Sequence, residues 1–540
     1  MNFKLPESIY LLLILVGFSN SINAQEWSKS FTAGNYDSNG KLLGGSEVLQ
    51  LIGHKDMLFA SVGYWEDANN IWYGGTNSNI GWGQINRLDN PLANWQEDFI
   101  LGSSCLRPEI LKQLIFTKDQ FGYSLSSPDT VLICAGYSPN FLTSKVTVKS
   151  FVRNDVNGTW GESQIVQGSF PSGENYSIRD IEMYVDEQTG LEYVFATVGT
   201  QGIFKGKYNS ANPGKIDWVS TAEFGPLSTR PLGIEVANGT LYFSSGSKLY
   251  RRIDGISPSY VVDYDFSDLG ATINSAVGGI RGLTKIDNPN GNNDAFLLMW
   301  CPDGQSQGII YRLEPDSLGG YNRIYETKLS ILIGDFLQGA SASYVLGAYN
   351  EFYKYIDPIS NNTFHLVGFE ANISGGGHPT WNGYYKGSLF AKRNSNGEYS
   401  IEEINGTIGA NDTALVANRC YASSPFSIED ALYFGGFDPN SNTSTNMAWV
   451  YKKSYHLTSV DEFAENENNF VIYPNPANQQ LIIQSKIHVE QDFSILNLLG
   501  KKLISGKLNG QIKALDISSL PPNIYIIRIG IKSIKFVKTE

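Results

Sequence analysis

Asp56-Met-Leu-Phe-Ala-Ser-Val-Gly-Tyr64, Asp129-Thr-Val-Leu-Ile-Cys-Ala-Gly-Tyr137 and Asp430-Ala-Leu-Tyr-Phe-Gly-Gly-Phe437 are one pattern written three times. A polar turn residue leads an apolar run rich in β-branched and aromatic side chains, and the run ends on small residues. That is the signature of a buried strand bounded by turns. Four more copies begin at Glu192, Thr240, Asp294 and Thr363. Working outward, a further short strand follows each copy, as in Lys149-Ser-Phe-Val-Arg153, Ile309-Ile-Tyr-Arg-Leu313 and Leu389-Phe-Ala-Lys-Arg393. A last strand is often led by Trp, as in Asn94-Trp95, Thr159-Trp160 and Asp217-Trp218. The unit is therefore four strands, too small to bury its own faces and stable only by packing on its neighbours. The fold expected is all-β, a seven-bladed β-propeller, with eight blades as the alternative if 373–404 forms a blade of its own. The last repeat, 419–453, has three strands, and Glu26-Trp-Ser-Lys-Ser-Phe31 copies the missing fourth. This segment is expected to close the ring.

The 540 residues include 55 Gly, 30 Tyr, 28 Phe and 10 Trp, and only 17% are charged, which excludes a disordered chain. The formal net charge of −13 excludes a general attraction to nucleic acid or anionic lipid. The charge is unevenly spread. Residues 468–540 hold nine basic and four acidic residues, whereas 25–467 hold 30 and 48.

Residues 1–24 read as a cleaved secretory signal: Lys4, then an apolar run from Ile9 to Phe18, then small residues to Ala24. About ten apolar residues are too few to span a bilayer, so no transmembrane anchor is expected. The chain divides into this signal, a propeller over 25–460, an acidic linker over 461–469 and a basic domain over 470–540. Periodicity alone makes the last a small Ig-like β-sandwich. Its landmarks are Tyr473-Pro474-Asn475-Pro476, a turn at Gly500-Lys501, Asp516-Ile517-Ser518 with Leu520 and Tyr525, and Lys535-Phe-Val-Lys538. In order and spacing these resemble the type A C-terminal sorting domain of the type IX secretion system of Bacteroidetes. Asn523 stands where that family usually has Gly. The resemblance implies the secretion machinery as a partner, passage through the periplasm, and delivery outside the cell or onto its outer surface.

Candidate ligand residues come from where such a fold gathers its loops. The positions before the first strands carry Arg107, Arg179, Arg230, Arg281 and Arg419. Guanidinium forks crowded at one mouth suit carboxylate or sulfate, and equally could tie blade to blade. On the same face, Gly-rich loops carry Trp72, Trp82, Trp300, His378 and Trp381, and flat rings stack on sugars. Carboxylates there include Glu47, Glu109, Asp180, Glu235 and Asp303, without a spacing that selects a catalytic pair. No motif for a metal, phosphate-binding loop or nucleophile elbow occurs, so neither cofactor nor metal is expected. Cys105 and Cys134 flank one hairpin and could form a disulfide; Cys301 and Cys420 read as buried thiols. Three functions stay open: binding of an anionic polysaccharide by a monomeric surface protein, polysaccharide breakdown by a glycosidase or lyase, and a surface protein-interaction scaffold.

Overall fold

The computed structural model describes residues 27–64, 82–102, 105–140, 142–169, 173–303, 307–381, 383–404, 415–437, 446–455, 470–497, 501–529 and 532–539. The expected signal, the linker, and the loop bearing Trp72 lie outside them. The chain forms two compact units, 1–455 and 456–540.

The first unit is all-β apart from the helix Leu329–Phe336 and a few 3-10 turns among the described residues. One antiparallel order recurs along it. Sheet A runs Glu47–His54, Met57–Gly63, Gln84–Leu88, Gln96–Ile100. Sheet B runs Ile110–Lys118, Ser124–Asn140, Lys145–Asn154, Thr159–Ser169. Sheet C runs Ile178–Val185, Glu192–Val198, Gly202–Tyr208, Ile216–Trp218, and sheet D Pro231–Ala237, Thr240–Ser245, Lys248–Ile253, Ser259–Asp265. Sheet E runs Gly279–Ile286, Ala295–Cys301, Ile309–Pro315, Tyr321–Lys328. Sheet F runs Tyr353–Ile356, Thr363–Gly375, Ser388–Arg393, Tyr399–Ile404, and the far half of its long second strand also pairs with Ala340–Gly347. Sheet G runs Ala417–Ser423, Ala431–Phe437, Trp449–Ser454, and its fourth strand is Trp27–Thr32 from the start of the body. The closing segment expected from its Trp is thus in register, Trp27 opposite Lys453 and Thr32 opposite Trp449.

Why the sheets stack is visible in their cores. A separate apolar cluster fills the space between A and B, B and C, C and D, D and E, E and F, F and G, and G and A. Second strands sit in the middle of each sheet and are buried on both faces, as Glu192–Val198 and Ala431–Phe437 are throughout. This is why their sequences are continuous apolar runs rather than alternating ones. Each fully buried Phe or Leu contributes roughly 1.5–3 kcal/mol of transfer free energy. Ion pairs then bind neighbouring sheets: Arg153 Nε to Asp98 at 2.8 Å, Arg252 to Glu223 at 2.7 Å and Asp186 at 2.8 Å, and Arg393 to Glu326 at 2.7 Å. In each of these three pairings a third-strand guanidinium reaches a carboxylate of the preceding sheet.

Among its described residues the second unit is one five-stranded sheet: Phe470–Tyr473, Gln480–Leu496, Lys502–Asp516, Asn523–Ile529 and Lys532–Lys538. Leu481, Ile495, Leu508, Tyr525, Ile527 and Phe536 form its core.

Four cysteines are free and buried, so the expected Cys105–Cys134 disulfide is absent. The Cys105 thiol instead points to the Arg107 carbonyl at 3.7 Å, and burial pushes it up to about 12.

Candidate functional site

The first strands of the sheets converge, and most carry the same irregularity. Their pairing slips between Val48 and Gln50, Ile178 and Ile181, Pro231 and Gly233, Arg281 and Thr284, and Asn418 and Cys420. A β-bulge bends a strand and re-aims the side chains beside it. These bulges fall at or next to Glu47, Arg179, Arg230, Arg281 and Arg419. The predicted arginines are therefore brought together, but inward rather than onto an open mouth.

Arg107, Arg179, Arg230 and Arg281 are 6%, 9%, 8% and 3% exposed, and the Arg419 side chain 10%. Arg107 Nε lies 2.8 Å from Glu47, and Arg419 Nη1 2.7 Å from the other oxygen of the same carboxylate. Arg230 Nη1 donates to Ser177 Oγ at 2.6 Å. Arg281 donates to the carbonyls of Gly347 and Val277, both at 2.9 Å.

Sheet F contributes no arginine here. It contributes Tyr349, whose ring lies 3.8 Å from the Arg179 guanidinium and 4.3 Å from that of Arg419, and whose hydroxyl accepts from Arg107 Nη2. Burial would raise the phenol's pKa, but Arg107 and then Arg179 hold it below its ordinary value. Tyr349 is aimed by a local device. Ala348 sits in the left-handed region at φ +47°, and Gly282 faces it so closely that a Cβ there would lie 2.6 Å from the Ala348 Cβ. Asn350 fastens the segment by donating to Leu49 O at 2.8 Å and Arg419 O at 3.0 Å, and Gln50 donates to Asn350 Oδ1 at 2.9 Å.

Tyr349 thus stops the centre, and a cavity of about 350 Å³ lies beside it along the first strands. Its chemistry was not foreseen. Lys112 Nζ lies 3.2 Å from Asp180, 2.7 Å from Glu182 and 2.9 Å from Glu351, and Glu235 lines the same cavity. Burial raises the pKa values of Asp180 and Glu235 well above the usual carboxylate range, and the neighbouring Glu351 and Glu182 add to the rise. Asp180 also accepts from the amides of Ile181 at 2.8 Å and Ile234 at 3.1 Å, so its position is fixed. Tyr353 and Phe352 add aromatic surface. The signal was Tyr349-Asn350-Glu351 against Arg107-Pro108-Glu109: aligning repeats on their first strands pairs Tyr with Arg and Glu with Glu.

Of the predicted aromatic set, the described side chains of Trp82, Trp300 and His378 lie in separate surroundings. Trp300 is 4% exposed, stacks on Phe266 at 5.0 Å and belongs to the core between sheets D and E. It is a strand residue paired with Ile280 and Ile309, so packing rather than ligand explains it. Trp82 packs against Tyr64 and Leu106. His378 is half-buried and its Nε2 lies 3.2 Å from Leu337 O. Trp381 belongs to a two-residue strand paired with Tyr384. Glu109 is buried beside Arg107 and accepts from the Ile178 amide at 2.6 Å, while Asp303 is exposed. Among the described residues no group of three or more His, Cys, Asp or Glu is arranged to hold a metal ion.

In the second unit, Asn475 Oδ1 accepts from the Val537 amide at 2.9 Å, tying the Tyr473–Pro476 segment to the last strand. Asp516 caps the turn through the Ser518 amide at 2.9 Å, Leu520 is buried, and the Tyr525 hydroxyl donates to Pro521 O at 2.7 Å. Gly500 lies outside the described residues.

Fold and tail define an exported all-β protein. Residues 471–539 match the family model of the secretion system C-terminal sorting domain, so the chain carries a type IX sorting tail and is a secreted or cell-surface protein. Among the described residues no helix is long and apolar enough to cross a membrane. No curated protein matches the chain. Among solved structures, PorZ, a surface component of the type-IX secretion system of Porphyromonas gingivalis, is 11% identical, with 92% of this chain and 82% of that chain covered and a TM-score of 0.32. The α-L-arabinofuranosidase Arb93A of Fusarium graminearum is 11% identical over 79% and 98%, at 0.38, and an α-L-arabinanase of Penicillium chrysogenum 11% over 70% and 98%, at 0.35. These likenesses are weak.

Proposed function

We propose that the body is a seven-bladed β-propeller, delivered to the cell surface by its tail, which binds a neutral carbohydrate in the central cavity. Sheets A to G are its blades, closed by Trp27–Thr32. The observation that carries the reading is the array of Lys112, Asp180, Glu235 and Glu351 lining a cavity of about 350 Å³ that also holds aromatic rings, with Glu182 paired to Lys112. Carboxylates accept from sugar hydroxyls and an ammonium donates to them, so vicinal hydroxyls can be read from both sides. The volume falls in the ordinary range for small-molecule sites. Immediately around Lys112 the carboxylates outnumber the cation, a poor match for an anionic sugar, while Lys285, Lys354, Arg179 and Arg419 line the rest of the cavity; the arginines expected to meet such a ligand already have partners within the protein.

A glycan array with the full mature chain tests this. Binding of neutral oligosaccharides that drops at least tenfold in Glu351→Gln, with little change in melting temperature, supports it; no binding to any glycan sinks it. One observation favours a second reading, glycoside hydrolysis: Asp180 and Glu235 are held towards the protonated form beside other carboxylates, the division of roles an acid and base pair needs. Shortened products from a bound oligosaccharide would select it.

A further inference from the structure

We propose that the central cavity receives the end of a glycan chain: the terminal sugar enters first and stops against Tyr349, and the next units lie in a second hollow between sheets A and G. This rests on the carbohydrate reading above and adds to it the part of the chain that is recognised.

The first observation is that the cavity is blind at one end. Tyr349 is held there by the guanidinium groups of Arg179 and Arg419 against its ring and by Arg107 on its hydroxyl. The space beyond, bounded by Arg281, Arg419 and Tyr349 itself, is about 20 Å³. That is room for about one water and none for a sugar ring. Exposure rises in the other direction. Asp180 is 5% exposed, whereas the Lys354 side chain, on the same cavity, is 55% exposed. Lys285, next to last in its strand, also lines the cavity and is exposed. The open end therefore lies at the far ends of the first strands, away from the arginine layer. A blind pocket admits a terminus and excludes the middle of a chain.

The second observation is what adjoins the cavity. A hollow of about 410 Å³ is lined by the turn Gly53-His-Lys-Asp56 and by Ser423 and Pro425, and it shares Leu51, Ile52 and Tyr353 with the cavity. Tyr353 is the common wall, and it is locked. Its hydroxyl donates to Ser423 Oγ at 3.0 Å and accepts from the Ser423 amide at 2.7 Å, and its ring stacks on Tyr421 at 5.8 Å. A fixed ring bordering both spaces offers consecutive sugars an apolar surface with little left to order on binding. His54 and Lys55 are both paired with Asp155, at 3.0 and 2.6 Å, so these cations of the hollow already have a counter-charge, which suits neutral units.

Titration calorimetry on the full mature chain tests this. The probes are linear gluco-, xylo-, manno-, galacto- and arabino-oligosaccharides of one to four units, the tetrasaccharides also carrying a bulky fluorophore at either end or at both. In the series that binds, the trisaccharide should bind at least about tenfold tighter than the monosaccharide. A fluorophore at one end should be tolerated and at the other should abolish binding, and the doubly capped chain should not bind. Ser423→Trp, which fills the second hollow from an exposed strand end, should bring the ratio of trisaccharide to monosaccharide affinity towards one; should that variant not fold, the capped probes decide. A doubly capped chain that binds as tightly as the free one overturns end recognition and leaves the carbohydrate reading standing. Equal affinities for the monosaccharide and trisaccharide overturn the second hollow. Binding of no sugar in the panel overturns both readings.

Discussion

Lys112 holds three carboxylates within 3.2 Å, and the arrangement is stable only because each charge offsets another. Lys112→Met should therefore cost about 3–5 kcal/mol in urea unfolding at pH 8, because it strands buried carboxylates. The loss should shrink at pH 5, where Asp180 and Glu235 carry protons. The same two groups set a pH slope in the unaltered protein. Their folded pKa values lie above the unfolded values of about 3.9 and 4.3, so the native state keeps protons that the unfolded chain has released. Stability from them is fully present below about pH 4 and is lost as pH rises toward and past neutrality; the double variant Asp180→Asn, Glu235→Gln should flatten the decline in melting temperature. At Gly282, φ is +59° and a Cβ would strike Ala348, so Gly282→Ala should cost at least about 1–3 kcal/mol and displace Tyr349, seen as altered tyrosine fluorescence. The sequence made the arginines legible because Arg is conspicuous in repeated positions. It hid their role because burial is decided by bulges, and nothing in Ser-Ile-Arg-Asp180 announces that pairing slips there.

Strand-level structure was the most readable part. Continuous apolar runs marked the second strands because a strand covered on both faces has no polar side to show. Trp-led strands were readable because the indole anchors the sheet edge where it occurs, as Trp160 Nε1 does on Asp98 at 2.8 Å and Trp95 Nε1 on Ser30 at 3.1 Å. Strand Trp27–Thr32 carries Phe31 into the core between sheets G and A, where it meets Trp95 at 5.8 Å. Phe31→Ala should lower stability by about 3–5 kcal/mol in denaturant titration. Trp300 was misread because it ends an apolar run before Cys-Pro-Asp, which resembles a loop entry; the strand extends one residue further, through Cys301.

The whole chain is a body and an address. The tail was legible down to single residues, because Asn475, Asp516 and Tyr525 each perform a local hydrogen-bonding task that few other residues could. Removing 468–540 should leave the body in the periplasm on cell fractionation; unchanged surface delivery would show that the tail is dispensable. The body's central chemistry was not legible, since it arises from strands far apart in sequence: Lys112 and Glu351 are 239 positions apart.

That the fourth strand of sheet G comes from the start of the body has a consequence in time. Emerging from a ribosome or a secretion pore, the clasp's first half appears hundreds of residues before its second. Waiting adds little to the equilibrium cost, since closure entropy grows only logarithmically with length, but it slows the final step, as all distant pairings do. Until then Trp449–Ser454 lacks its outer partner. A chain cut short before residue 449 never gains the latch at all, so an unfinished copy carries its own mark of incompleteness: an open strand edge available to proteases and to other chains.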